Sequence, residues 1–100
     1  MSSNHSPRSL AIEILCRQKK TGNPIDQIFE QVLLRHALPD ARDIRLVKAI
    51  IFGVMRQRAL LDWTLARYSK HPLNKMKDRT LAALRIGLFQ LLFMDRIHPG

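Results

Sequence analysis

The chain has 100 residues, 46% of them hydrophobic, and 17 lysines and arginines against 8 aspartates and glutamates give a net charge of +9. That length holds one domain, and that apolar fraction excludes a disordered basic tail. The single cysteine, Cys16, excludes an internal disulfide and a multi-cysteine zinc site, and the most apolar window, residues 86–94, is far shorter than a membrane-spanning helix.

The surplus of cations implies an anionic partner: nucleic acid, membrane surface or acidic protein. Residues 1–6 are polar, lack the apolar run of a signal peptide and read as a disordered tail. A reducing, cytoplasmic setting is therefore expected. A first helix is predicted over residues 7–20, with Ser6 as its cap, Pro7 in first position, and Leu10, Ala11, Ile14, Leu15 and Gln18 on one face. Thr21-Gly22-Asn23 breaks it. A second helix follows, with Asn23 as cap, Pro24 in first position and an apolar stripe of Ile25, Ile28, Phe29, Val32, Leu33 and His36, ending at Leu38-Pro39.

A third helix starts at Asp40, with Ile44, Val47, Ile50, Ile51 and Val54 inward. Arg58 would fall inside that stripe if the helix ran on straight, so a break is predicted at residues 56–58. A fourth helix then covers residues 59–69, with Leu61, Leu65 and Tyr68 inward and Trp63 at the flank. After the connector His71-Pro72-Leu73-Asn74, a fifth helix is predicted over residues 75–94. From Leu81 onward it is apolar nearly all round, the pattern of a central helix covered by neighbours. The chain is thus expected to be all-α, a compact bundle of about five helices. The lone glycines Gly53 and Gly87 lie inside helices, where each costs about 1 kcal/mol relative to alanine, and are expected to mark tight helix crossings.

The charge is local. Residues 1–40 carry a net +1 and residues 41–100 a net +8. On the wheel of the third helix Arg42, Arg45 and Arg56 gather opposite the core stripe, with the small Ala49 between them. Lys48 and Arg58 belong to the same basic half. A second cluster, Lys70, Lys75, Lys77 and Arg79, leads into the fifth helix. Such residues would contact phosphates and supply affinity and register more than sequence reading. Phe52 and Trp63 near the stripe would either stack on an unpaired base or serve as half-buried packing residues. No active site emerges: His5, His36, His71 and His98 are scattered without metal-ligand spacing, His36 fits a helix C-terminus, and Cys16 reads as a small packing residue.

Several stretches carry a family likeness. Arg8-x-x-Ala11-x-x-x-Leu15, then Asp43 followed by Phe52-Gly53-Val54-Met55-Arg56-Gln57-Arg58 and Leu61-Asp62-Trp63, then Leu84-Arg85-Ile86-Gly87-Leu88-Phe89-Gln90-Leu91 together resemble the NusB-like RNA-binding domain. The version they resemble stands at the N-terminus of ribosomal RNA 5-methylcytosine methyltransferases of the Sun or Fmu type. Phe52 and Phe89 stand where the family usually has tyrosine. The family continues with Pro-x-His-Ala and further helices where this chain has Ile97-His98-Pro99-Gly100.

The resemblance implies a domain over residues 7–97, with residues 98–100 a truncated end or linker. It implies a non-catalytic module that holds RNA, ribosomal in kind, for a catalytic domain outside this chain. S-adenosylmethionine would belong to that other domain, since neither a glycine-rich loop nor a Pro-Cys motif occurs here. The expected RNA-contacting residues are Arg8, Arg42, Arg45, Lys48, Arg56, Arg58, Lys75, Lys77, Arg79 and Arg85, with structural pairing to Asp43 or Asp62 as the alternative for Arg56 and Arg85. The other reading is a free-standing transcription antitermination or protein-interaction module, with Ile12 and Cys16 as a possible contact. Apolar surface left on the fifth helix would be exposed or covered by a second copy.

Overall fold

Helix boundaries follow local chemistry closely. A computed structural model describes residues 6–36 and 40–94. The expectations for the tail at residues 1–5, for the stop at Leu38-Pro39 and for residues 98–100 lie outside the described residues. Helix α1 spans Pro7–Thr21; Ser6 accepts a hydrogen bond from the Ser9 amide at 3.1 Å, and Gly22 closes the helix at φ 73°. That left-handed turn is one that glycine takes without steric cost. Helix α2 spans Ile25–Arg35. Its cap position is held by Pro24 and not, as expected, by Asn23. The Asn23 amide is engaged instead by the Thr21 hydroxyl, and its carbonyl accepts from Gln18.

Helix α3 spans Ala41–Arg56 and is capped by Asp40, whose carboxylate accepts from the Arg42 amide at 2.9 Å. The predicted break falls at Gln57, and α4 spans Arg58–Tyr68. A short 3₁₀ turn, Leu73–Lys75, then intervenes. Helix α5 therefore begins later than expected, spanning Asp78–Phe89, and its end widens into a π turn over Gln90–Met94.

Helix α1 packs against α2, α3 and α5, while α5 also touches α3 and α4. The core is formed by Leu10, Ala11, Ile14 and Leu15 of α1, Ile28, Phe29 and Val32 of α2, Val47, Ile50, Ile51 and Val54 of α3, Leu61 of α4, and Ala82, Ile86 and Phe89 of α5. Two side-chain ties fix α1 and α5 antiparallel. Arg8 donates to Gln90 at 2.6 Å at one end, and Lys19 meets Asp78 at 2.7 Å at the other. Among the described residues the chain is all-α, five helices without a strand.

Three expectations are corrected by the packing. Tyr68 points outward, 81% exposed, at the end of α4, whose main neighbours among the described residues are α5, α3 and the 3₁₀ turn. Helix α5 is covered on one side only: Leu81, Ala82, Ile86 and Phe89 are buried, while Leu84 and Leu91 are 41% and 66% exposed. Gly53 does mark a tight crossing, since a methyl group on it would overlap the Phe89 ring, but Gly87 does not, for nothing lies within 4 Å of the same position there. Ile12 and Cys16 are partly buried against the core.

Candidate nucleic-acid interface

The two faces of α3 do different work. Val47, Ile50, Ile51 and Val54 are buried, while Arg42, Arg45, Lys48, Ala49 and Arg56 are exposed. Where α3 meets the end of α5, the small Ala49 and Gly53 leave the helix surface low, and Phe89 comes down onto Gly53. The result is a groove of about 700 Å³ lined by Arg45, Lys48, Ala49, Phe52, Gly53, Arg56 and Phe89. Arg45 to Arg56 spans ~16 Å of helix, several times the ~3.4 Å rise between phosphates along a helical strand.

The groove's charge is uncompensated. Among the described residues none of Arg42, Arg45, Lys48 and Arg56 lies within 4 Å of a carboxylate. Asp43 does not reach Arg56, because thirteen positions along one helix separate them by ~20 Å. Arg8 and Gln90 sit at the adjacent helix ends, joined to each other. Phe52 combines both expected roles, being partly buried against the core while lining the groove. Trp63 is not a half-buried packing residue: it is 60% exposed, outside the groove, with the Arg67 guanidinium 5.0 Å from its ring centroid.

The profile of the NusB family matches residues 5–100. The chain belongs to the NusB family. Among its relatives, the transcription antitermination protein NusB of Chloroflexus aggregans is 32% identical over 92 residues, covering 91% of this chain and 61% of the relative. The NusB of Roseiflexus castenholzii is 30% identical, with 91% and 64% covered. A ribosomal RNA small subunit methyltransferase B from Cronobacter sakazakii is 31% identical over 93 residues, covering 92% of this chain but 20% of the relative. The chain thus spans about three fifths of the NusB proteins and a fifth of the methyltransferase. No solved structure matches it.

The remaining basic residues of this NusB domain lie elsewhere. Arg85 is withdrawn from solvent, its side chain 12% exposed, and its guanidinium grips both carboxylate oxygens of Asp62 at 2.7 and 2.9 Å. It locks α5 to α4. Arg58 sits 3.8 Å from the same carboxylate. Lys75, Lys77 and Arg79 are exposed at the Asp78 end of α5, ~17 Å of helix away from the groove. Arg79 shares a shallow depression of about 290 Å³ with Glu13, Cys16, Arg17, Lys20 and Asp78, where charges of both signs meet.

Burial pushes the Cys16 thiol up from its ordinary pKa, a trend that nearby Arg79 opposes. A thiol so placed is a poor nucleophile. Nothing in the depression forms a glycine-rich cradle, so the residues present do not fit S-adenosylmethionine. Among the described residues no three metal-ligating side chains are grouped, and no helix is long and apolar enough to cross a membrane. Sequence reasoning missed Phe89 as part of the groove. A glycine facing an aromatic across two helices is a tertiary pairing, and only the small size of Gly53 hinted at it.

Proposed function

We propose that this chain is a cytoplasmic, non-catalytic RNA-binding module whose binding surface is the α3 groove. Its proposed target is ribosomal RNA, held for a methyltransferase domain that also binds S-adenosylmethionine. The observation that carries the reading is the row of four cations on α3 without carboxylate partners, set beside an aromatic-floored groove. Unpaired cations gain by replacing the counterions of a phosphate backbone, whereas a merely solvated face has no reason to be hollowed around Phe52 and Phe89. The similarity to methyltransferases that act on small-subunit ribosomal RNA supports the choice of target.

The test is affinity for a ribosomal RNA fragment as a function of salt. Arg45→Ala, Lys48→Ala and Arg56→Ala should each weaken binding and lower the salt slope by about 0.7–1. Arg85→Ala should leave the slope unchanged, because its charge is already committed to Asp62. Binding that is absent at low salt, or indifferent to salt, would sink the reading.

A second reading, a free-standing antitermination module, draws on the larger share of the NusB relatives that the chain spans. It predicts that tight RNA binding requires a protein partner. The methyltransferase reading predicts that the chain binds RNA alone.

A further inference from the structure

We propose that the α3 groove takes RNA in its unpaired form, with one nucleobase laid over Ala49 against the ring of Phe52 while Arg45 and Arg56 hold phosphates on either side. The proposal rests on the RNA reading of the groove and adds the strand form that it accepts. Arg45, Ala49, Phe52 and Arg56 follow the i, i+4, i+7, i+11 spacing and fall within about 60° of one another on α3. In order along the helix they present a cation, a methyl group, an aromatic ring and a cation. All four line the groove. Among the described residues neither arginine has a carboxylate within 4 Å.

Phe52 is the ring that a base meets. Phe89 also lines the groove, but it is only 7% exposed, closed over Gly53 and stacked on Phe93 with ring centroids 5.3 Å apart. It serves as a wall. Phe52 is half-buried and keeps open surface, and the exposed Ala49 about one turn before it leaves room for a flat group. Every base has a face that stacks on such a ring, so the contact selects unpaired bases without selecting among them.

The charges and the ring favour different strand forms. A duplex carries twice the phosphates of a single strand over the same length, so a bare basic face holds the duplex at least as tightly. The ring gains nothing from a duplex, whose base faces are closed by their own neighbours in the stack. Because Phe52 lies inside the row of cations, a strand that reaches from Arg45 to Arg56 passes over it. The order of affinities is thereby reversed in favour of the unpaired strand.

Fluorescence anisotropy at one low salt concentration tests it, with a labelled single-stranded RNA dodecamer of unstructured sequence and with the same strand annealed to its complement. The single strand should bind more tightly than the duplex. Phe52→Leu, which keeps apolar bulk but removes the ring, should weaken single-strand binding by about 5-fold or more, the lower bound for one base–aromatic stack. It should leave duplex affinity and the salt slope unchanged, and Phe52→Tyr should bind like the parent. Lys48→Ala should instead weaken both forms and lower the slope. A duplex bound as tightly as the single strand overturns the proposal and leaves the RNA reading standing. So does a Phe52→Leu chain that melts like the parent and binds the single strand equally well. The two strand forms are compared on the parent chain, so the test holds even for a variant that fails to fold. Failure of both forms to bind at low salt removes the RNA reading, and this proposal with it.

Discussion

Single side chains decide which cations of this protein are available to a ligand. Arg85 and Arg56 both belong to arginine-containing motifs of the chain, yet one is sealed into a two-point grip on Asp62 and the other stands free at the groove. Removing a partly buried, charge-assisted pair leaves Asp62 without its main partner. Arg85→Ala should therefore cost about 1.5–3 kcal/mol in urea unfolding. Gly53 carries a different constraint. A methyl group there collides with the Phe89 ring, and overpacking of this kind costs ~1–3 kcal/mol. Gly53→Ala should lower the melting temperature and also displace Phe89 from the groove floor. Cys16 is held back by burial. Its alkylation by a thiol reagent should run slower than that of an unfolded control at neutral pH, and the two rates should converge in denaturant.

At the scale of elements, α3 is both a core wall and the proposed ligand-facing surface. Its apolar stripe anchors it, and that anchoring holds its cations in a fixed row. The Asp40 cap satisfies the Arg42 amide at the helix start. Asp40→Ala should cost about 1 kcal/mol of stability, read by chemical denaturation.

The antiparallel pair of α1 and α5 is tied at its far end by Lys19 and Asp78. The hydrogen bond from the Lys19 ammonium holds the Asp78 carboxyl below its ordinary value of 3.8. A carboxylate whose pKa is depressed by folding contributes stability above the unfolded value and loses it as pH falls through the folded one. Acid should therefore loosen this tie only below about pH 4. Asp78→Asn should lower neutral-pH stability only slightly and flatten the acid limb of the stability profile by that same small amount, since the pair is about half exposed.

For the whole molecule, the arrangement of charge matters more than its total. The cations of α3 form one surface, while Lys75, Lys77 and Arg79 stand at the other end of α5, where Arg79 lies beside Glu13 and Asp78. The two clusters stand ~17 Å of helix apart, so a ligand seated in the groove meets the α3 cations first. Replacing Lys75 and Lys77 by alanine should therefore weaken RNA binding less than replacing Arg45 and Lys48, measured at one salt concentration.

Much of this was readable along the chain because it is set by local chemistry. Ser6, Pro7, Gly22, Asp40 and the clash of Arg58 with its stripe mark helix ends through backbone hydrogen bonding and 3.6-residue periodicity, which need no distant partner. The all-α class, the break at Gln57 and the gathering of Arg42, Arg45 and Arg56 on one face are of that kind. Tertiary structure decided the rest, because burial and pairing depend on what else arrives at the same place. An apolar helix does not state how many neighbours will cover it, so the sequence predicts a central α5 where the structure leaves one side of it open. Two glycines in similar helical settings diverge, Gly53 against an aromatic ring and Gly87 against nothing. Arg85 and Arg56 separate for the same reason: a carboxylate 23 residues away in the chain lies within hydrogen-bond reach of one, and no carboxylate lies within 4 Å of the other among the described residues.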